Sequence, residues 1–303
     1  MSGLLKVLLT GRDGQLGQAL RASRPEGVEL IACGRAELDL ADAEACAAAV
    51  HEHRPDWVLN AGAYTAVDLA EQEPELARAV NAGAPQAFAR ALAASGGRLL
   101  QVSTDFVFNG EQGSPYRPEQ AMQPLGIYGS SKAEGEQLAR ASLPDSHCCV
   151  LRTSWVYGPA GKNFCLTMLR LHRLRAEAGQ PLAVVADQVG CPTATHTLAA
   201  ACWAAIAHQA SGILHWSDAG AASWYDFAVA IGELGAARGL LQRPAVVLPI
   251  TTKDYPTPAR RPSYSLLDCS GSRQQLNLPP VHWRAALAEV MATLAQSAPA
   301  HPA

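Results

Sequence analysis

Lys6-Val7-Leu8-Leu9-Thr10-Gly11-Arg12-Asp13-Gly14-Gln15-Leu16-Gly17 joins a short apolar run to three glycines spaced three apart. The run reads as a first strand, and Gln15 onward reads as the opening of a helix. Glycines permit the tight turn between them, and the helix start offers unpaired N–H groups to a pyrophosphate. A glycine-rich turn with no ligand is the plain alternative, because the motif alone is weak. Its place between a first strand and a first helix favours dinucleotide binding.

Outward from this loop, strand-like and helix-like segments alternate. Residues 29–33, 57–60, 98–103 and 148–153 read as strands. Asp42 is placed to cap an Ala-rich helix, with Glu44 in its first turn. Residues 74–95 read as one long helix, and 128–141 as another. This alternation predicts an α/β chain with a Rossmann-type, doubly wound parallel sheet. We expect residues 1–153 to form the NAD(P)-binding domain, with late segments near 190–215 returning to it. Residues 154–303 are expected to form mainly a smaller α/β substrate-binding lobe. Helical patterns recur there at 164–175, 196–208, 224–234 and 283–295.

Composition narrows the class. The 303 residues are 49% apolar and 17% charged, against about 25% charged in an average globular chain, which argues for a packed core. A net charge of -3 leaves no electrostatic footprint for nucleic acid or an anionic membrane. The longest apolar stretch, 198–207, is too short to span a bilayer and reads as a buried helix. The start, Met1-Ser2-Gly3-Leu4-Leu5-Lys6, lacks the features of a secretory leader, so the expected location is cytoplasmic. The eight cysteines include no C-x-x-C pair and read as reduced core residues.

The chemistry-bearing residues come later. Ser103-Thr104-Asp105 ends one strand, and Tyr128-Gly129-Ser130-Ser131-Lys132 opens the next helix. Tyr128 and Lys132 are four apart and share a helix face. An ammonium beside a phenol lowers the phenol's pKa, and the phenol can then exchange a proton during carbonyl reduction. Thr104 is suited to hold the same oxygen. A packed Tyr beside a solvated Lys is the commoner origin of Tyr-x-x-x-Lys. The coincidence, in order, of this pair with the glycine loop, Asn60 and Ser103-Thr104 favours an oxidoreductase.

The G-x-x-G-x-x-G spacing resembles the extended branch of the short-chain dehydrogenase/reductase superfamily. Arg35, just past the second strand, suits the additional phosphate of NADPH, with Arg12 in support; an acid there would favour NADH, which stays the alternative. Leu38-Asp39-Leu40 resembles that superfamily's adenine contact, and Asn60-Ala61-Gly62-Ala63 the loop beneath the nicotinamide ribose. Longer words are similar to the dTDP-4-dehydrorhamnose reductase family: 60–68, Ser103-Thr104-Asp105-Phe106-Val107-Phe108, Arg152-Thr153-Ser154-Trp155-Val156-Tyr157 and 255–262. The likeness covers nearly the whole chain.

That resemblance implies reduction of the 4-keto group of dTDP-6-deoxy-L-lyxo-4-hexulose to dTDP-L-rhamnose, for a bacterial cell-surface polysaccharide. It implies Tyr128 as proton donor, Lys132 as its partner and Thr104 as the tuning hydroxyl. Gly11, Gly14, Gln15, Leu16, Gly17, Arg35, Asp39, Leu40, Ala61, Gly62, Ala63, Tyr64 and Thr65 would hold the cofactor together with Tyr128 and Lys132. Thr104, Asp105 and Trp155 would contact the nucleotide sugar. Arg260 and Arg261 offer planar cationic forks for its diphosphate, although adjacent arginines can split between ligand and structure. Some members bind Mg²⁺ through glutamates at a dimer contact. Ala19 and His196 stand at the corresponding positions here, so no metal is expected, and monomer and homodimer both stay open. Two other classes stay open as well: a sugar-nucleotide epimerase or dehydratase, and a non-catalytic subunit resembling the regulatory subunit of methionine adenosyltransferase.

Overall fold

β1 (Leu5–Thr10) pairs in parallel with β2 (Val28–Cys33) on one side and β3 (Trp57–Asn60) on the other. The computed structural model describes residues 4–297; residues 1–3, on which the leader reading partly rests, and 298–303 lie outside that range. β4 (Arg98–Thr104), β5 (Cys148–Thr153) and β6 (Gly212–His215) extend the sheet, giving the order β2-β1-β3-β4-β5-β6. The chain runs outward from β1 to β2, then returns to β3 on the other side. That reversal opens a crevice at the carboxyl ends of β1 and β3, where ligands of doubly wound sheets bind. The expected fold class is met.

Helices cover both faces because strand side chains alternate. Val7, Leu9, Leu59 and Leu151 meet α1 (Gln15–Ala22) and, farther along the chain, Leu198, Cys202 and Ile206 of the helix Thr195–Ala207. Leu8, Val58, Leu99 and Val150 point the other way. They meet Cys46 and Val50 of α2 (Ala43–His53), Phe88 and Leu92 of α3 (Ala84–Ser95), and Ala139 of α4 (Ile127–Ser142). Asp42 accepts from the N–H groups of Glu44 and Ala45 and caps α2. The eight cysteines are free, and seven are buried.

The single helix expected over 74–95 is interrupted. Pro74–Arg78 is followed by a widened π turn, Ala79–Gly83, before α3 begins. Pro85 has no N–H to give the carbonyl four residues back, that of Asn81, and the wider turn absorbs the mismatch. Asn81 O then faces α4 so closely that a Cβ on Gly135 would sit 2.0 Å from it. The short helix Val67–Ala70 precedes this region.

After α5 (Phe164–Glu177), the Thr195–Ala207 helix introduced above is α6 and belongs to the sheet layer. A second core gathers α5, α7 (Trp224–Ala237) and α8 (Trp283–Ser297), where Met168, Phe227, Ile231, Leu287 and Met291 pack with Tyr157 and the parallel pair Leu182–Val185 and Val247–Ile250. Asn163 caps α5, and Ser223 and Asp226 form a reciprocal capping box on α7. Ser270–Leu276, not foreseen as helix, forms about two further turns against the sheet's β6 edge.

Candidate active site

The glycine loop turns as its sequence requires. Gly11 has φ +69°, and Gly14 N donates to Gly11 O at 2.9 Å. A Cβ on Gly17 would lie 2.1 Å from Gly11 O, so the helix can approach the strand only with glycine there. No side chain caps α1. Its first-turn N–H groups therefore remain available to an anion. A cleft of about 400 Å³ opens at this point between Gly14, Gln15, Arg35, Thr65, Tyr128 and Lys132. A smaller hollow of about 170 Å³, lined by Leu38, Asp39, Leu40, Ala63 and Tyr64, shares Gly11, Arg35 and Gly62 with it. A larger hollow, about 620 Å³, lies at the opposite ends of the strands between Leu5, Arg54, Trp57 and Arg98, and holds none of the predicted site residues.

These positions come together, with differences of detail. Gln15 reaches across the cleft, its Oε1 accepting from Asn163 Nδ2 at 2.9 Å. Leu16 packs in the sheet core and also lines the cleft. Ala61 also lines the cleft. Arg12 is engaged by Asp13 and Glu37 at 3.2 and 3.1 Å. That pairing removes the support expected of it. Arg35 is exposed and forms no ion pair among the described residues.

Tyr128 and Lys132 project from the first turns of α4. The start of that helix is capped by Glu71, whose Oε1 accepts from Ile127 N at 2.9 Å. Lys132 is buried, and its Nζ donates to Val102 O at 2.6 Å. Burial lowers its pKa to about 8, with Glu136 opposing. Tyr128 is pushed up to about 12, chiefly by burial, with the neighbouring Thr104 hydroxyl working against that and the charge of Asp105 adding to it. The lowering expected from the Lys132 ammonium is thus absent in the free protein. Its ammonium is turned to a backbone carbonyl, and desolvation of the phenolate dominates. Phe106 packs edge-on against Tyr128 at 5.5 Å.

Thr104 has one proton to give, and in this structure its Oγ1 donates to Asp105 Oδ1 at 3.1 Å. Asp105 Oδ2 is buried with no partner among the described residues. Burial pushes the Asp105 carboxyl up to about 6, against the lowering influence of the nearby Ser265 and Thr104 hydroxyls. An unpartnered carboxyl oxygen beside a phenol is a group placed for a ligand rather than for stability.

Two residues expected to contact a nucleotide sugar already have partners within the protein. Trp155, at φ +46°, stacks on Trp224 at 3.5 Å and 4°, so one ring face is already covered. Arg261 makes a two-pronged pair with Asp68 at 3.0 and 2.8 Å and also donates to Ala259 O. It ties the proline-rich loop to the Val67–Ala70 helix, so the fork expected to meet a ligand is engaged by Asp68 in the free protein. Arg260 is exposed. His196 pairs with Glu289 at 3.0 Å. One imidazole and one carboxylate, with Ala19 contributing nothing, do not make the oxygen cage a hard divalent cation needs.

Three contributors escaped sequence reasoning: Glu71 as a cap, Asn81, and the buried pair Glu136–Arg152. Asn81 Oδ1 accepts from Tyr64 N at 2.9 Å, and its Nδ2 donates to Tyr64 O and Ser131 Oγ, both at 3.1 Å. It thereby joins the cofactor loop to the Tyr128 helix. Pro85 inside a helical pattern was the available signal for a distorted turn.

A glycine loop at the switch point of a parallel sheet, with Tyr and Lys one turn apart at its mouth, defines a protein of the short-chain dehydrogenase/reductase type. The chain belongs to the RmlD substrate binding domain family, whose model matches residues 5–296, and is a sugar-nucleotide reductase of that family. It is 38% identical to the dTDP-4-dehydrorhamnose reductase of Aggregatibacter actinomycetemcomitans, covering 95% of this chain and 99% of the relative. It is 39% identical to the spore coat polysaccharide biosynthesis protein SpsK of Bacillus subtilis, covering 95% and 97%. The solved structure of the Bacillus anthracis dTDP-4-dehydrorhamnose reductase in complex with NADP superposes with a TM-score of 0.86 at 32% identity, covering 94% of this chain and 98% of that one. No described helix is long and apolar enough to cross a membrane.

Proposed function

We propose that this protein reduces the 4-keto group of dTDP-6-deoxy-L-lyxo-4-hexulose to give dTDP-L-rhamnose, using NADPH with NADH as the alternative. The observation that carries this reading is the placement of Tyr128 and Lys132 in the lining of the glycine-loop cleft, with the Thr104 hydroxyl beside Tyr128. When bound, the reduced nicotinamide supplies the hydride. Gly11, Gly14 and the uncapped start of α1 hold the pyrophosphate, Arg35 the additional phosphate, and Asp39 with Leu40 the adenosine end. Ala61, Gly62, Ala63, Tyr64 and Thr65 close the opposite wall.

Tyr128 donates its phenolic proton to the sugar oxygen as that oxygen gains charge. A pKa near 12 in the free protein keeps the phenol protonated before turnover. Lys132 and Thr104 then favour the phenolate that forms, one by charge and one by hydrogen bonding. Asp105, with its free oxygen, accepts from a sugar hydroxyl, and Trp155 bounds the apolar side of the deoxysugar. Arg260 is the remaining fork for the diphosphate. A related keto-sugar is the second reading, supported by the likeness to the spore coat polysaccharide biosynthesis protein SpsK.

The test follows NADPH consumption with the dTDP-4-keto-6-deoxy-L-sugar generated in situ, with product identified by mass and retention. Turnover to dTDP-rhamnose supports the reading. A folded protein that binds NADPH but leaves this sugar unreduced overturns it. Cofactor retained through purification would instead favour an epimerase, and association with a synthetase without hydride transfer a regulatory subunit.

A further inference from the structure

One turn beyond Lys132 on α4 lies Glu136, paired with Arg152 of β5. Arg152 Nε and Nη2 donate to its carboxylate at 3.0 and 2.7 Å, and each side chain is 1% exposed. Ser103, at the end of β4, donates to Glu136 Oε1 at 2.5 Å. Arg152 also donates to Pro118 O at 3.1 Å and lies over the Phe108 ring at 5.2 Å. Its last neighbour is His215 Nε2 at 3.3 Å, while His215 Nδ1 lies 3.0 Å from Tyr116 O. A carbonyl only accepts, so Nδ1 carries the proton and Nε2 accepts from Arg152. The ring is neutral, as burial beside Arg152 holds its pKa down to about 3.

A fully buried ion pair is an expensive way to join a helix to a strand, since apolar side chains of the same volume do so as well or better. Here the pair sits where it acts on the site. Tyr128, Lys132 and Glu136 follow one another at four-residue spacing on one face of α4. We propose that Glu136 is a positioning residue: with Arg152 and Ser103 it seats α4 on the ends of β4 and β5, and its carboxylate sets the charge of the Lys132 ammonium. Arg152 tempers that carboxylate, so the two act on Lys132 in opposite directions. The inference rests on the role given to Lys132 above. Among the charged and titratable groups, Glu136 on its own helix acts on Lys132 directly; Tyr128 lines the same cleft, Asp105 after β4 acts on Tyr128, and Arg152 on β5 and His215 on β6 connect through Glu136.

Lys6, Lys132, Lys162 and Lys253 are the four lysines of the chain, so ε-carbon labelling gives few signals, and loss of one in Lys132→Arg assigns it. Glu136→Gln removes the anion and leaves Arg152 unpaired, so the Lys132 titration midpoint falls by about one unit or more. Arg152→Gln leaves the anion unpaired, so the midpoint rises. The alkaline limb of kcat moves with each midpoint, and Glu136→Asp returns both toward the native values. Midpoints that stay put, or that move the same way in both variants, overturn the proposal. Where these variants do not fold, Ser103→Ala keeps the ion pair and frees the carboxylate; its Lys132 midpoint must rise, and an unchanged one overturns the proposal equally. The titration is read without turnover, so a failed substrate assignment leaves it intact.

Discussion

The two walls of the cleft are built by different means. On the cofactor wall, strand ends and helix starts set the main groups through the backbone: the Gly11 turn, the uncapped α1, Lys132 on Val102 O. On the sugar wall, loops do the work, with Trp155 in a left-handed conformation stacked on Trp224 and the proline-rich loop tied down by Arg261 and Asp68. A sheet edge leaves little freedom, because each residue's position is shared with its neighbours' hydrogen bonds. A loop held by side chains can change its ligand without disturbing the sheet. The chemistry should therefore be robust on the first wall and the sugar specificity adjustable on the second.

The sharpest test of the first wall is Tyr128→Phe. It should lower kcat by roughly a hundredfold or more while NADPH binding and melting temperature hold; near-native turnover would remove Tyr128 from its role. Gly17→Ala comes next. A Cβ 2.1 Å from Gly11 O must push α1 from the strand, costing about 1–3 kcal/mol in denaturant unfolding and at least about tenfold in NADPH affinity.

Asp105 lies where the walls meet. Its carboxyl, raised to about 6 by burial, favours folding while protonated. That contribution is full below the unfolded value near 4 and is lost as pH rises through about 6. Asp105→Asn should accordingly gain up to about 3 kcal/mol over the native chain at pH 8, and little at pH 4, while KM for the sugar nucleotide rises. A variant less stable than the native chain at pH 8 would show that the carboxylate is compensated.

Arg35→Ala should weaken NADPH by about tenfold and leave NADH nearly unchanged, read by fluorescence titration with both cofactors. Equal losses would place the additional phosphate elsewhere. The smallest effect is expected on the second wall. Arg261→Ala breaks a half-exposed pair worth about 1 kcal/mol or less. KM for the sugar should rise a few-fold with kcat held, and a loss confined to kcat would contradict the loop's role.

Much of this was legible in the residues themselves. Val7-Leu8-Leu9 followed by the three glycines, and Tyr128 four before Lys132, are local patterns whose spacing maps directly onto a strand, a turn and one helix face. The 74–95 segment was not, because Pro85 breaks a periodic helix only where the carbonyl it strands can face a neighbour, and that neighbour is Gly135, fifty residues on. Arg260 and Arg261 look alike in sequence, and only Asp68, brought in from a distant helix, separates them.

By itself the sequence determined the parallel α/β sheet, the cofactor turn and the order of the reacting groups, since these depend on periodicity and on steric limits of single residues. The tertiary structure alone decided which charges are free. Arg12, Arg261, Glu136 and Arg152 are committed to partners 25, 193 and 16 residues away, and a charge's partner is a matter of distance in space, not along the chain.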